Sequence, residues 1–243
     1  MRTIAISDIH GHARTLIALL EKIHYEPTQD RLYLLGDYVD GGPDSLGTVR
    51  MVMDLCAQGA GNTQALGGNH DELFLNWLDG KKHRLLPYAK NRTGGLQTIT
   101  SFWPGFAAQQ DQAQARSAIL HHYAKEITFL RTLPDWLEDD RHIYVHAGID
   151  PKQPDWKSTS ARDFRWLRGR FHRADGTLNT NNRTVIFGHD ACSNLHGNPG
   201  LHSPWFGSQI IGIDGGIKFG GHLNALLIDE SGIFTSASLP SID

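Results

Sequence analysis

Six short segments of the chain place aspartate, histidine or asparagine next to glycine, a combination able to bind a metal ion at a tight turn. The segments are residues 8–11, 36–42, 67–71, 146–148, 188–190 and 214–216. Carboxylate, imidazole and amide groups together suit borderline divalent ions such as manganese, iron or zinc better than calcium or magnesium. No cysteine belongs to the set, so a closed structural zinc site is disfavoured.

Each segment also has a plainer interpretation when it is taken singly. Asn69 fits the cap of a helix, and His146 and His189 fit buried histidines that are satisfied by the core. A single Asp-x-His after a strand is more often a turn than a ligand pair. Six such segments, each following an apolar run, favour one shared site instead.

The elements that must position these residues are visible in the apolar pattern of the first half. Residues 3–6, 31–35 and 65–66 are typical of strands, and residues 12–23, 45–58 and about 69–78 of helices, with Ser45 as a plausible N-cap. This βαβαβα order predicts a parallel sheet with helices packed against it. In such sheets, groups at successive strand ends meet in one crevice.

The second half changes character. Residues 83–136 are mainly helical in pattern and predict a helical excursion over the sheet that could act as a lid. Strand patterns follow at 143–145, 185–187, 209–213, 225–228 and 233–235. A second sheet stacked on the first would account for them, although the pattern alone leaves this open.

The first segment carries a geometric condition. Asp8 and His10 alternate along an extended chain, so their side chains would face opposite ways. Both can reach one ion only if the chain bends, and Gly11 makes a bend there plausible.

With these motifs the chain resembles the calcineurin-like metallophosphoesterases. It looks most like their phosphoprotein phosphatase branch, which includes bacterial serine/threonine phosphatases and diadenosine-tetraphosphate hydrolases. The family pattern GDxHG, GDxVDRG, GNHE, HAG, GH and D-x-G reads here SDIHG, GDYVDGG, GNHD, HAG, GHD and DGG. The segment GGLQTITSF at 94–102 is similar to a GG-x-x-T-L-x-S-Y stretch of bacterial members. The resemblance covers nearly the whole chain.

The resemblance implies an α/β fold in which two mixed β-sheets form a sandwich flanked by helices, in one catalytic domain over residues 1–243. It implies two divalent metal ions, with manganese expected and iron or zinc as alternatives. Asp8 and His10 would bind the first ion, Asp37 would bridge both, and Asn69, His146 and His189 would complete the second. His70 would be the general acid, and Asp40 the carboxylate that orients it.

The implied activity is metal-dependent hydrolysis of phosphomonoesters, in phosphoproteins or small phosphoesters, by attack of a metal-bridging hydroxide. Two cations can stabilise both the attacking and the leaving oxygen, so no protein nucleophile is required. The chain accordingly shows no cysteine or serine motif for covalent catalysis. Two alternatives remain: hydrolysis of diadenosine polyphosphates or other nucleotides, and a weakened, phosphate-binding regulator.

One departure from the family pattern concerns the phosphoryl group. The arginine of GDxVDRG is Gly41 here, so a bidentate cation is missing. Arg168, in a W-x-R segment that resembles a phosphate-contacting one, is the candidate replacement, and Arg92 is a more speculative one. Arg162, Arg165 and Arg168 have a spacing that predicts one helical face. If the lost arginine matters, Gly41→Arg should improve monoester turnover.

Composition sets outer limits on function. The 243 residues carry a formal net charge of −3, which gives no global electrostatic case for nucleic-acid binding. No apolar run approaches the roughly 18–20 residues that a membrane span needs. Cys56 and Cys192 are too few for a disulfide framework and predict free thiols in a reducing, cytoplasmic compartment.

Overall fold

The first part of the chain alternates strands and helices as its apolar pattern predicts. A computed structural model describes residues 1–81, 88–90, 93–106 and 111–243. The opening elements are β1 (Arg2–Ile6), α1 (Ala13–Lys22), β2 (Asp30–Leu34), α2 (Ser45–Gln58), β3 (Thr63–Ala65) and α3 (Asn69–Leu78). β1, β2 and β3 are parallel neighbours, which confirms the predicted βαβαβα opening.

The next region is helical in its described parts, as expected. After a short 3-10 turn at Tyr88–Lys90 come α4 (Gly95–Phe102), α5 (Gln112–His122) and α6 (Ala124–Thr132). These helices pack on α2 and α3, so they form a further layer outside the first sheet. No helix in the described part of the chain is long and apolar enough to cross a membrane.

The remaining chain supplies the second sheet and completes the first. Its strands are β4 (Trp136–Glu138), β5 (His142–Val145), β6 (Thr184–Phe187), β7 (Trp205–Phe206), β8 (Ile210–Gly212), β9 (His222–Ile228) and β10 (Phe234–Pro240). Three short helices lie between them: α7 (Ala161–Trp166), α8 (Gly169–His172) and α9 (Cys192–Leu195).

The strands form two mixed sheets of five. The first has the order β10-β9-β1-β2-β3, and β9 runs antiparallel to β1. The second has the order β4-β5-β6-β8-β7, in which β5, β6 and β8 are parallel. The sandwich of two mixed sheets is therefore confirmed.

Alternation along the strands divides the core into layers. In β1, Ile4 and Ile6 face the helices α1 to α6, whereas Ala5 faces the second sheet. In β5, Tyr144 lies between the sheets, and its ring is centred 4.4 Å from that of Tyr33 in β2. Because successive strand residues point to opposite faces, each parallel strand is apolar on both sides.

Two local predictions were wrong. Asp44, rather than Ser45, caps α2, because its carboxylate accepts a 2.8 Å hydrogen bond from Gly47 N. Arg162, Arg165 and Arg168 do not lie on one helical face. The helix α7 ends at Trp166, and Arg168 precedes the separate helix α8. The extended backbone at Leu167 breaks the helical spacing that the sequence suggested.

Candidate active site and metal centre

The predicted site residues lie beyond the carboxyl ends of parallel strands from both sheets. Asp8 and His10 follow β1, Asp37 and Asp40 follow β2, and Asn69 begins α3 after β3. His146 and His189 follow β5 and β6 of the second sheet, and β8 leads to Asp214. The site therefore straddles the edge where the two sheets meet, as the strand-end argument predicts.

The backbone at this edge is unusual for residues other than glycine. Five of the predicted site residues have left-handed φ angles between 50° and 69°: Asp8, His10, Asp37, Asp40 and His189. Such conformations cost free energy and cluster where the surroundings hold a functional geometry. The bend that would let Asp8 and His10 reach one ion is present, because both residues have positive φ angles, as does Gly11.

Two clusters of potential metal ligands share one residue. His10, Asp37 and His70 form the first, and Asp37, His146 and His189 form the second, with ligand atoms of each cluster within 4.8 Å of one another. Asp37 presents one oxygen 3.6 Å from His10 Nε2 and the other 3.5 Å from His146 Nε2. A carboxylate between two nitrogen clusters is the arrangement that a bridging ligand requires.

Asp8 and Asn69 lie at the edges of these clusters. The Asp8 carboxylate is 4.0 Å from His10 Nε2 and accepts a hydrogen bond from the backbone N–H of His189. The Asn69 side-chain oxygen is 2.9 Å from His146 Nε2. All six predicted ligands, Asp8, His10, Asp37, Asn69, His146 and His189, are buried and converge on one region.

The histidines are oriented by the backbone. Nδ1 of His10 lies 2.9 Å from the Val39 carbonyl, and Nδ1 of His146 lies 2.8 Å from the Leu35 carbonyl. Since a carbonyl only accepts, each Nδ1 must donate, and each Nε2 then presents a lone pair to the site. Nε2 of His189 is buried and has no hydrogen-bond partner among the residues that the structure describes. These converging lone pairs and the orphaned nitrogen fit a divalent cation.

Burial shifts the proton affinities of these groups. It raises the pKa of Asp8 and Asp37 well above the usual range of a carboxyl group, and their mutual repulsion and that of Asp214 add to this. It lowers the pKa of His10 and His189 far below the usual value, and that of His146 to about 3. Cations would favour the charged carboxylates and would bind the neutral imidazoles, so metal binding should release protons.

His70 and Asp40 form a pair beside the clusters. Nδ1 of His70 lies 2.8 Å from Oδ2 of the fully buried Asp40. The other Asp40 oxygen accepts hydrogen bonds from the hydroxyls of Tyr88 and Thr98, and Thr98 Oγ1 also accepts a 2.9 Å bond from Asp40 N. The segment GGLQTITSF thus holds the carboxylate that orients His70.

Asp71 has a structural role that the sequence analysis did not predict. Its carboxylate accepts hydrogen bonds of 2.9 Å from Asp37 N and Gly68 N, and of 3.0 Å from Tyr38 N. It therefore ties the loop after β2 to the start of α3, and so fixes Asp37 relative to Asn69. The exchange of glutamate for aspartate at this position is the only sequence signal for it.

The candidate arginines are engaged at the rim. Arg168 is half exposed and forms a 3.0 Å ion pair with Asp190, close enough to the site to affect the pKa of His189. Arg165 forms a 2.8 Å ion pair with Asp135. Arg92 lies outside the described residues.

The sequence analysis missed one cation within the site. Lys218 lies in the 3-10 turn Ile217–Phe219 that follows β8, and its Nζ is 3.0 Å from Nε2 of His70. No motif pointed to it, since the D-x-G segment ends at Gly216.

A sequence model of the calcineurin-like phosphoesterase family matches residues 1–193, most of the chain and all six predicted ligands. The chain belongs to the calcineurin-like phosphoesterases. The resemblance inferred from the motifs is thereby confirmed at the level of the family, a family of hydrolases that use divalent metal ions.

Among curated relatives, this calcineurin-like phosphoesterase is similar to symmetrical bis(5'-nucleosyl)-tetraphosphatases. It is 26% identical to that of Pseudomonas putida (strain GB-1), over 95% of this chain and 91% of the relative. It is 28% identical to that of Chromohalobacter salexigens, over 67% of this chain and 49% of the relative. The chain spans about half the length, or less, of most of the relatives it matches.

Solved structures with a similar fold include proteins that are named for different substrates. The crystal structure of a candidate diadenosine tetraphosphatase aligns with a TM-score of 0.61 and 20% identity, covering 100% of this chain and 94% of that chain. A Saccharomyces cerevisiae serine/threonine phosphatase aligns with a TM-score of 0.66 and 12% identity, covering 100% of this chain and 81% of that chain. At these identities the likeness establishes the fold alone.

Proposed function

We propose that this chain is a metal-dependent hydrolase that cleaves dinucleoside polyphosphates. The observation that carries the metal dependence is the position of Asp37, whose two oxygens face separate histidine clusters at 3.6 Å and 3.5 Å. Two bound divalent ions would supply a hydroxide at neutral pH and would stabilise charge on the reacting oxygens.

The chain's own residues would bind and orient the phosphate. The N-terminus of α3 begins at Asn69, and His70 N already donates a 2.8 Å hydrogen bond to Asp37. Helix N-termini favour anionic groups, so α3 adds a positive end to the site. The side chain of His70, held by Asp40, is partly exposed and could donate a proton from Nε2 to the leaving oxygen.

The names of the relatives support the substrate class. Both relatives described above are called symmetrical bis(5'-nucleosyl)-tetraphosphatases, which matches the nucleotide alternative more closely than the phosphomonoester expectation. Symmetrical cleavage of diadenosine tetraphosphate by water would give two molecules of ADP. Asymmetrical cleavage would give AMP and ATP.

The pair of His70 and Asp40 favours a second candidate, a phosphomonoesterase. A nucleoside diphosphate leaves as a weak base and gains little from protonation, whereas a serine or threonine alkoxide is strongly basic. A histidine whose Nδ1 is 2.8 Å from a buried carboxylate is suited to the more basic leaving group. Phosphoprotein and small phosphomonoester substrates therefore remain predictions.

One panel distinguishes the two candidates. The protein loaded with Mn²⁺ is given diadenosine tetraphosphate, an aryl phosphate, and phosphoserine, phosphothreonine and phosphotyrosine peptides at equal concentrations. We expect the largest kcat/KM for the dinucleotide, with ADP as the product resolved by ion-exchange chromatography. Asp37→Asn and a chelator serve as controls, and both should abolish turnover.

The outcomes separate the possibilities. Preference for a phosphopeptide would replace the nucleotide proposal with the phosphomonoesterase. Turnover of no substrate by protein that retains bound manganese would contradict both and would support a phosphate-binding regulator. Full activity of Asp37→Asn would contradict the metal centre itself.

A further inference from the structure

Lys218 brings a positive charge to the centre of the candidate site. Its Nζ lies 3.0 Å from Nε2 and 3.3 Å from Nδ1 of His70. The side chain is only partly exposed, and the carboxylates of the site attract it: Asp40, Asp37, Asp8 and Asp214. Among the residues that the structure describes, Lys218 nevertheless forms no direct ion pair with a carboxylate. The amine therefore lies in the site without a direct ion-pair partner among these residues.

The side chain of Lys218 passes close to Gly41. A Cβ added at Gly41 would lie 2.9 Å from Cγ and 3.5 Å from Cδ of Lys218. The first distance is too short for real side chains, so any larger residue would displace the stem of the lysine. Gly41 also has a φ of 126°, a conformation that other residues rarely adopt. Because residue 41 has no side chain, the loop after β2 leaves space for the stem of Lys218.

Phosphoryl transfer is favoured by positive charge beside the reacting group. The non-bridging oxygens of the phosphoryl group carry charge through the reaction, and preorganised cations stabilise it. Arg165 and Arg168 are already paired with Asp135 and Asp190 at the rim. Within the described ranges, Lys218 is the lysine or arginine whose nitrogen lies within hydrogen-bond distance of the His70 ring.

We propose that Lys218 binds the phosphoryl oxygens of the substrate beside the metal ligands, in the space that Gly41 leaves open. The ammonium hydrogens that now face His70 would donate to these oxygens instead. Lysine acts there as a point charge, without the bidentate fork of an arginine. The assignment rests on the proposed phosphoester chemistry, but on neither of the two substrate classes.

The test compares two substitutions of Lys218 with a matched control. Lys218→Met keeps the length of the stem and removes the charge, whereas Lys218→Arg keeps the charge. Lys125→Met makes the same exchange at an exposed lysine of α6. Inorganic phosphate is titrated calorimetrically into each protein loaded with Mn²⁺, and bound manganese is measured by elemental analysis.

We expect Lys218→Met to weaken phosphate binding at least about tenfold and to lower kcat about 10²-fold, the scale for loss of one charge-stabilising donor. Lys218→Arg should retain most of the binding, and Lys125→Met all of it, with equal manganese in every protein. Unchanged phosphate affinity in Lys218→Met would overturn the assignment. So would loss of manganese from that variant, or a parent protein that binds manganese but no phosphate.

The binding measurement needs no turnover, so the two proposals fail separately. If phosphate binding depends on Lys218 while the dinucleotide is not hydrolysed, the substrate proposal fails and the lysine assignment stands. If the dinucleotide is hydrolysed equally well by Lys218→Met, the assignment fails and the substrate proposal stands.

Discussion

Nδ1 of His70 lies 2.8 Å from Oδ2 of Asp40, while Nε2 of the same ring faces the site. The carboxylate accepts a hydrogen bond from Nδ1–H and so fixes Nε2 as the nitrogen that faces a substrate. Because Asp40 is fully buried and bonded by Tyr88 and Thr98, this orientation is set by the fold rather than by the substrate.

Replacing Asp40 by asparagine should impair protonation of the leaving group. We expect Asp40→Asn to lower kcat about 10²-fold for alkyl phosphates, the lower end of the range for general acid catalysis, and far less for an aryl phosphate. The ratio of the two kcat values is the measurement, since misfolding would lower both alike. Equal losses for the two leaving groups would exclude this role.

Removal of the Thr98 hydroxyl tests how Asp40 is held. Thr98→Val removes a 2.6 Å hydrogen bond to the carboxylate and leaves Asp40 N without its partner. We expect kcat to fall about tenfold and the free energy of unfolding to fall by about 1–3 kcal/mol. Thr100→Val is the control, because that hydroxyl donates to Leu96 O on the exposed side of the same helix, away from Asp40. Similar effects of the two substitutions would contradict the prediction.

When a chelator removes the metal ions, the buried carboxylates should lower the free energy of unfolding. Burial raises the pKa of Asp214 to about 6, above the value of about 3.9 in an unfolded chain. The folded protein then binds this proton more tightly, so the contribution of Asp214 to stability should fall as pH rises from about 4 to 6. With a chelator present, Asp214→Asn should remove this loss.

Urea unfolding measures the effect of that substitution. Asp214→Asn should exceed the parent in unfolding free energy by roughly 1–3 kcal/mol at pH 8 and match it at pH 4. Asp54→Asn, at an exposed position of α2, should show no such difference between the two pH values. A gain of equal size at both pH values would show that charge is not the cause.

The structure reverses the sequence-based expectation for Gly41→Arg. The φ of 126° and the 2.9 Å approach of Lys218 Cγ should make the single substitution destabilising by about 1–3 kcal/mol and lower kcat/KM. Gly61→Arg is the control, since Gly61 also has a positive φ but has nothing near its Cβ position. Adding Lys218→Ala to Gly41→Arg should recover part of the activity. Improved turnover by Gly41→Arg alone would contradict the steric argument.

Candidate ligands could be proposed from the sequence because their signals are local and because the motifs resemble those of a known family. Each predicted ligand follows an apolar strand and stands beside or near a glycine. Asp37 and His146 follow strands of different sheets, so their 3.5 Å approach depends on how the two sheets pack. The cap of α2 was less certain, because Asp44 and Ser45 are adjacent and both are good capping residues. Only the backbone course decides between them.

Contacts between distant segments could not be predicted in this way. Lys218 is separated from His70 by 148 positions, and no periodic pattern links them. Its stem lies beside Gly41, a position that the sequence analysis interpreted only as the loss of a phosphate-binding arginine. The bend at Asp8 and His10 was expected, but their own left-handed backbone was not, since glycine is the usual residue there.

The position of β1 between β2 and β9 has a consequence for biosynthesis. β1 pairs on one side with residues 30–34 and on the other with residues 225–228. Synthesis must reach residue 228 before the second of these pairings can form completely, so until then β1 has one unpaired edge. Such long-range closure makes folding slow and leaves the nascent chain prone to aggregation, which a chaperone would relieve.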